Sequence, residues 1–96
     1  VHSLISFMER NPNVKMVIAG NGSSSYTMQQ RSWDYVNAII DYVIDNGKVN
    51  RNQFIFQYGL GGEPRTVNIR KAQPGEEGPN NTPPPIPFFT LNLKLK

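Results

Sequence analysis

The chain has 96 residues, which suits one small domain and, at this size, only a modest core. Its hydrophobic content of 38% and charged content of 18% are typical of a folded module and exclude wholesale disorder. The net charge of +3 is too scattered for a nucleic-acid surface, and the absence of cysteine excludes disulfides, thiol catalysis and thiolate metal sites.

The first predicted elements are a helix and a strand. Leu4, Ile5 and Met8 recur at helical spacing, and the helix ends near Asn11 because the following proline disfavours helical backbone there. Residues 14–19 then alternate, with apolar side chains on both faces. Such a segment is typical of a strand inside a sheet.

A polar loop and the longest helix come next. Residues 20–25 consist only of glycine, asparagine and serine. Residues 28–46 carry a wide apolar stripe, which predicts an amphipathic helix with Trp33 in the core. Gly47 follows this helix, and we expect it to adopt the left-handed conformation that ends many helices.

The second half of the chain predicts two short strands and a break. Residues 54–58 and 66–71 read as strands on either side of a glycine-rich turn. Residues 73–87 form a Pro/Gly-rich linker whose composition neither packs a core nor sustains a ladder. Residues 88–96 alternate apolar and polar side chains, which predicts a half-buried strand that needs a sheet edge.

These elements predict an α+β fold in which two helices pack on one face of a small mixed sheet. The predicted order is helix, strand, helix, strand, strand. We expect a domain over residues 1–72, the linker over 73–87, and a C-terminal strand over 88–96 that completes the sheet or is exchanged with a neighbouring copy. The chain begins with Val1 and not with Met, so we expect a processed or excised piece.

Several segments follow one another in a recognisable order. They are a helix ending in Asn11-Pro12, the strand 14–20, a helix ending at 41–47, residues 57–64 (Gln-Tyr-Gly-Leu-Gly-Gly-Glu-Pro) and residues 65–69 (Arg-Thr-Val-Asn-Ile). This series resembles the OmpA-like, peptidoglycan-associated domains of outer-membrane, lipoprotein and flagellar-stator proteins. In that family the last two segments read Gly-Tyr-Gly-Glu…Pro and Arg-Arg-Val-Glu-Ile. The likeness covers about residues 3–71.

The sequence departs from the family at the ligand position. The family's first strand precedes the first helix, whereas this chain begins at that helix. The family's loop Gly-His-Thr-Asp here reads Gly20-Asn21-Gly22-Ser23, and the family's helix arginine falls on Tyr35. That aspartate and arginine hold the diaminopimelate of the peptide stem, and their loss weakens such recognition because hydrogen bonds to charged groups are strong.

The resemblance and the loop chemistry together single out a small set of candidate ligand-binding residues. Arg31 lies one helical turn before Tyr35, so its guanidinium could reach the same region and grip a carboxylate together with Arg65, or both arginines could be solvated surface residues. Tyr35 could stack on a sugar ring, and the loop could equally be a plain connection. The predicted ligand-binding residues are Asn21, Ser23, Arg31, Ser32, Tyr35 and Arg65, with no cofactor and no metal.

The sequence predicts a protein that is not an enzyme. No serine or threonine has a histidine placed as its base, and the aspartates Asp34, Asp41 and Asp45 lie on one helix. The resemblance implies a bacterial cell-envelope domain in the periplasm, associated with the outer membrane, whose partner is peptidoglycan of the diaminopimelate type. The alternative is a structural module that has lost peptidoglycan binding and associates with other envelope proteins, or with itself through residues 88–96.

Overall fold

The computed structural model describes residues 2–86, which form two helices and three strands. The elements are α1 (His2–Arg10), β1 (Met16–Asn21), α2 (Tyr26–Asn46), β2 (Phe54–Leu60) and β3 (Val67–Lys71), with a short 3₁₀ turn at Arg51–Gln53. The predicted order of helix, strand, helix, strand, strand is confirmed. The strand predicted over residues 88–96 lies outside the described residues.

The three strands form one mixed sheet in the order β2-β1-β3. β1 runs parallel to β2, with Met16 opposite Phe54, and antiparallel to β3, with Ile18 opposite Ile69. The apolar side chains on both faces of residues 14–19 predicted a strand inside the sheet, and β1 is its central strand. The pairing of β1 with β2 shifts register after Ala19, close to the end of both strands.

Both helices pack on the same face of the sheet and build the main core there. This confirms the predicted α+β arrangement. Trp33 of α2 is 6% exposed, and its ring centroid lies 5.8 Å from that of Phe56 on β2. Removing such apolar surface from water is the main force that holds the layers together. The other buried apolar residues of this core are Ile5, Met8, Met16, Ile18, Val36, Ile40, Val43, Val49 and Phe54.

The opposite face of the sheet carries a smaller apolar cluster. Val17, Ala19 and Ile55 are buried there, and Ala72 packs against them just after β3. Gly78 lies so close to Ile55 that a Cβ at that position would sit 2.9 Å from the Ile55 Cγ2 atom. The chain that follows β3 therefore returns across this face.

Residues 79–86, which we call the strap, are hydrogen-bonded to the sheet and to α2. The carbonyl of Pro79 accepts from the Phe56 amide at 2.8 Å. The carbonyl of Thr82 accepts from the indole N–H of Trp33 at 2.8 Å, and the Ile86 amide donates to the side chain of Gln30 at 2.8 Å. The expectation of an unpacked linker thus does not describe residues 73–86, because a proline lacks an N–H but keeps a carbonyl that can accept.

The ends of α2 differ from the sequence prediction in two ways. The hydroxyl of Ser25 accepts from the Met28 amide at 3.1 Å, and this cap lets the helix begin at Tyr26. Gly47 has φ −140°, so the prediction of a left-handed cap is wrong. Glycine is needed there for space, because a Cβ would lie 2.7 Å from the Ile5 Cγ2 atom of α1.

An ion pair closes the turn after β3. The guanidinium of Arg70 donates two hydrogen bonds of 2.8 Å to the carboxylate of Glu76, and that carboxylate also accepts from the Gln73 amide at 2.9 Å. These contacts lower the pKa of Glu76 to about 2.

Neither α1 nor α2 combines the length and the apolar character that crossing a bilayer requires.

Candidate functional site

Two of the predicted site residues, Asn21 and Ser32, lie at one edge of the sheet. Because β1 and β2 are parallel, their carboxyl ends meet at this edge, which is where α/β sheets commonly bind ligands. The start of α2 and the loop of residues 61–66 lie there too. We call this region the carboxyl edge.

Ser32 ties α2 to the end of β2. It is 1% exposed, and its hydroxyl donates to the Gln29 carbonyl at 2.8 Å while accepting from the Gly59 amide at 2.9 Å. A hydroxyl has one proton to donate, and here that proton is engaged within the helix. The Ser32 hydroxyl therefore works as a structural tie between two elements.

Asn21 ties the end of β1 to the start of β3. Its side-chain amide donates to the Thr66 hydroxyl at 2.8 Å, and its backbone amide donates to the Thr66 carbonyl at 2.9 Å. Gly62 lies directly against this side chain, since a Cβ there would sit 2.6 Å from Asn21 Nδ2. The side chain is buried and held from two sides.

The backbone of α2 lies directly on the end of β1. A Cβ at Gly20 would sit 2.8 Å from the Ser32 carbonyl oxygen and 2.9 Å from Val36 Cγ2. A Cβ at Gly22 would sit 2.7 Å from the Met28 carbonyl oxygen. The space between strand end and helix, where the family resemblance implies a ligand pocket, is occupied by packed backbone.

The remaining candidate residues are exposed. Ser23, Arg31 and Arg65 lie on the surface, and Tyr35 is 40% exposed. Among residues 2–86, no hydrogen bond or ion pair joins any two of these four side chains. Arg65 has φ +65°, a left-handed conformation that is uncommon for a residue with a Cβ. The structure thus buries Asn21 and Ser32. The other four predicted site residues, Ser23, Arg31, Tyr35 and Arg65, are exposed on the surface.

The charges near the start of α2 are modest. Burial raises the pKa of Asp34, while a hydrogen bond from Gln30 and the positive charge of Arg31 act against that rise. The Gln30 side chain donates to Asp34 at 2.8 Å. Within the described part of the chain, no group of three or more His, Cys, Asp or Glu side chains is arranged to hold a metal ion.

Two cavities lie away from the carboxyl edge, and neither is lined by a predicted site residue. One, of about 640 Å³, lies between the start of β1 and the turn after β3. The other, of about 500 Å³, lies between α2 and the strap and contains an ion pair between Arg51 and Asp41 at 2.5 Å. Sequence reasoning missed this pair, because nothing in the spacing of the two residues indicates that the 3₁₀ turn folds back onto α2.

Comparison with known proteins finds no matching family model, no matching curated protein and no matching solved structure. The similarity of residues 3–71 to OmpA-like domains therefore stays a prediction from sequence.

The close contact at Gly20 predicts a specific sensitivity to a methyl group. We expect Gly20→Ala to lower the free energy of unfolding by about 1–3 kcal/mol, because the new Cβ forces α2 away from β1. Urea denaturation followed by circular dichroism measures this change. Gly61→Ala is the matched control, since a Cβ at Gly61 meets no atom within 4 Å. Equal free energies of unfolding for the two variants would contradict the packing described above.

Proposed function

We propose that this chain is a non-catalytic domain of the bacterial cell envelope, built on the OmpA-like plan, that serves as a structural or assembly module. In this proposal it acts in the periplasm at the outer membrane and has lost the family's grip on peptidoglycan. The observation that carries the proposal is the use of Ser32 and Asn21 to hold the fold together at the carboxyl edge.

A ligand at the carboxyl edge would have to compete with the fold for these groups. The Ser32 hydroxyl satisfies the amide of Gly59, and leaving a buried amide without a partner costs about 1–3 kcal/mol. The contacts of Gly20 and Gly22 with α2 leave no gap for a carboxylate beside β1. Both facts favour a module whose old ligand position has become part of its core.

The outer edge of β3 supports a role in assembly. β3 is one of the two outer strands of the sheet that residues 2–86 form, and the other, β2, already bonds the strap through the Phe56 amide. The Ala72 amide donates to the Lys15 carbonyl, and hydrogen-bonded pairs alternate along an antiparallel ladder. The backbone groups that point away from β1 are therefore those of Val67, Ile69 and Lys71. The side chain of Ile69 is 43% exposed at this edge.

Residues 88–96 have the pattern of a strand that suits such an edge. Their sequence places apolar side chains at Phe89, Leu91, Leu93 and Leu95, with polar ones between them. Strand addition supplies main-chain hydrogen bonds without a dedicated pocket. We propose that this segment joins the edge of β3, either in its own chain or in a second copy, and that other envelope proteins can offer a strand in the same way.

Blocking the outward amide of Ile69 tests the assembly proposal. Ile69→Pro removes that amide without removing a hydrogen bond to β1, so it prevents strand addition. We expect it to lower the melting temperature of the full chain more than Ile69→Ala does. Combining Ile69→Pro with deletion of residues 88–96 should cost no more than the larger single change, because both remove the same contact.

The outcome also distinguishes the two sources of the added strand. Loss of a concentration-dependent dimer in sedimentation indicates exchange between copies, whereas a monomer with lowered stability indicates pairing within one chain. Additive losses in melting temperature from the two changes would contradict strand addition at β3.

Peptidoglycan binding is the second candidate function, and the exposure of Arg31 and Arg65 favours it. Guanidinium groups hold carboxylates through paired hydrogen bonds, and the peptide stem carries carboxylates. Both side chains are exposed, and among residues 2–86 neither takes part in an ion pair within 4.0 Å. A surface grip of this kind would replace the pocket of the family.

Co-sedimentation with insoluble peptidoglycan separates the two functions. The structural module predicts that the domain stays in the supernatant. A surface grip predicts pelleting that Arg31→Gln and Arg65→Asn abolish and that the control Arg10→Gln, on the exposed end of α1, leaves intact. Asparagine is chosen at position 65 because it tolerates the left-handed backbone there.

A further inference from the structure

The cavity between α2 and the strap, which we call the strap cleft, has the features of a ligand site. It has a volume of about 500 Å³ and lies on the β2 side of the molecule, away from the carboxyl edge. Asn37, Asp41, Arg51 and Thr82 supply its polar groups, and Trp33 and two prolines of the strap complete its wall. Pockets of this size with a few convergent polar groups are typical of small-molecule sites.

Two residues that line this cleft each carry a buried polar atom with no hydrogen-bond partner among the described residues. These atoms are Nη1 of Arg51, a donor, and the hydroxyl oxygen of Thr82, which can donate or accept. Native proteins leave few buried polar atoms unpaired, so each one needs an explanation. Both atoms belong to residues that line one cavity, and less than 1 Å² of each is accessible, so a ligand that bonds them must shift the side chains that cover them.

The charge balance of the strap cleft favours a neutral ligand. The other arm of Arg51 donates to Asp41 at 2.5 Å, and Asn37 donates to the second oxygen of the same carboxylate at 3.3 Å. The guanidinium and the carboxylate cancel, so neither an anion nor a cation gains a net attraction there. The pair nevertheless offers a donor and acceptor lone pairs side by side, which is the arrangement that hydroxyl groups can bridge.

The wall of the cleft supplies apolar surface beside these polar groups. Pro83 and Pro84 lie along it, and the indole N–H of Trp33 is fixed by the Thr82 carbonyl at 2.8 Å. A sugar ring presents hydroxyl groups at its rim and C–H groups on its faces, which matches this combination. We propose that the strap cleft binds a neutral sugar, with Arg51, Asp41 and Thr82 bonding its hydroxyl groups.

The strap cleft shares no lining residue with the carboxyl edge or with β3, so sugar binding there is independent of the proposed function. Titration with isolated sugars reports on Arg51 and Thr82, whereas co-sedimentation with variants at positions 31 and 65 reports on the surface grip. Either proposal can therefore fail while the other survives.

The test uses the full chain and the fluorescence of Trp33, which is the single tryptophan of the sequence. Glucose, N-acetylglucosamine and cellobiose are titrated separately, with glycerol as a control for non-specific polyol effects and sodium acetate as a charged probe. We expect a saturable change with at least one sugar and none with glycerol or acetate. Thr82→Val and Arg51→Gln should each weaken that binding about tenfold or more, because each removes a hydrogen bond to the ligand.

Thr27→Val is the matched control, since Thr27 is an exposed residue of α2 that does not line the cleft. It should bind sugar as the unaltered chain does. A second measurement protects the test against misfolding: Thr82→Val should not lower the melting temperature, because the hydroxyl that it removes has no partner in the protein. A lowered melting temperature, a saturable response to acetate alone, or the absence of a saturable response to every sugar would overturn the proposal.

Discussion

The direct contact between the backbone of α2 and the end of β1 determines how the rest of this molecule is arranged. Gly20 and Gly22 allow the helix to approach the strand closely, and the Ser32 hydroxyl then bonds the Gly59 amide of the neighbouring parallel strand. One helix is thereby tied to both parallel strands at the edge where a ligand pocket would be expected. Since the apolar stripe of α2 must still cover the sheet, this contact also fixes how Trp33 meets Phe56 in the core.

Because the carboxyl edge is closely packed, the groups that a ligand or partner could contact lie elsewhere on the surface. On one side, no strand among residues 2–86 pairs with the outer edge of β3, where Ile69 is 43% exposed. On the other side the strap crosses to α2 and creates a cleft that contains the Arg51–Asp41 ion pair, and two of its lining residues carry polar atoms without a partner in the described part of the chain. The strap cleft exists because the chain after β3 packs back on the domain.

Local patterns predicted most of the fold. Apolar residues on both faces of 14–19 indicated a central strand, and the stripe on α2 indicated a helix covering one side of the sheet. The strap was missed because periodicity records apolar side chains, whereas this segment docks through the carbonyls of Pro79 and Thr82 and the amide of Ile86. Gly47 was misjudged because a glycine chosen for space and a glycine chosen for a left-handed turn look the same in a sequence.

The site was harder to predict than the fold, for a related reason. Polar residues after a strand have the same composition whether they bind a ligand or satisfy neighbouring backbone groups, and only the partners of Asn21 and Ser32 distinguish the two cases. The pair of Arg51 and Asp41 depends on a tertiary contact that no local pattern encodes. Chain geometry, and not residue type, therefore decides which polar groups remain open to a ligand.

The stability of Ser32→Ala measures how strongly α2 is tied to β2, with Ser6→Ala on the exposed side of α1 as its control. If the Ser32 hydroxyl ties α2 to β2, its removal lowers the free energy of unfolding by about 1–3 kcal/mol and speeds hydrogen exchange of the Gly59 amide, while the control changes neither. An unchanged free energy of unfolding in Ser32→Ala, together with an unchanged exchange rate at Gly59, would contradict the claim that this edge is closed by the fold itself.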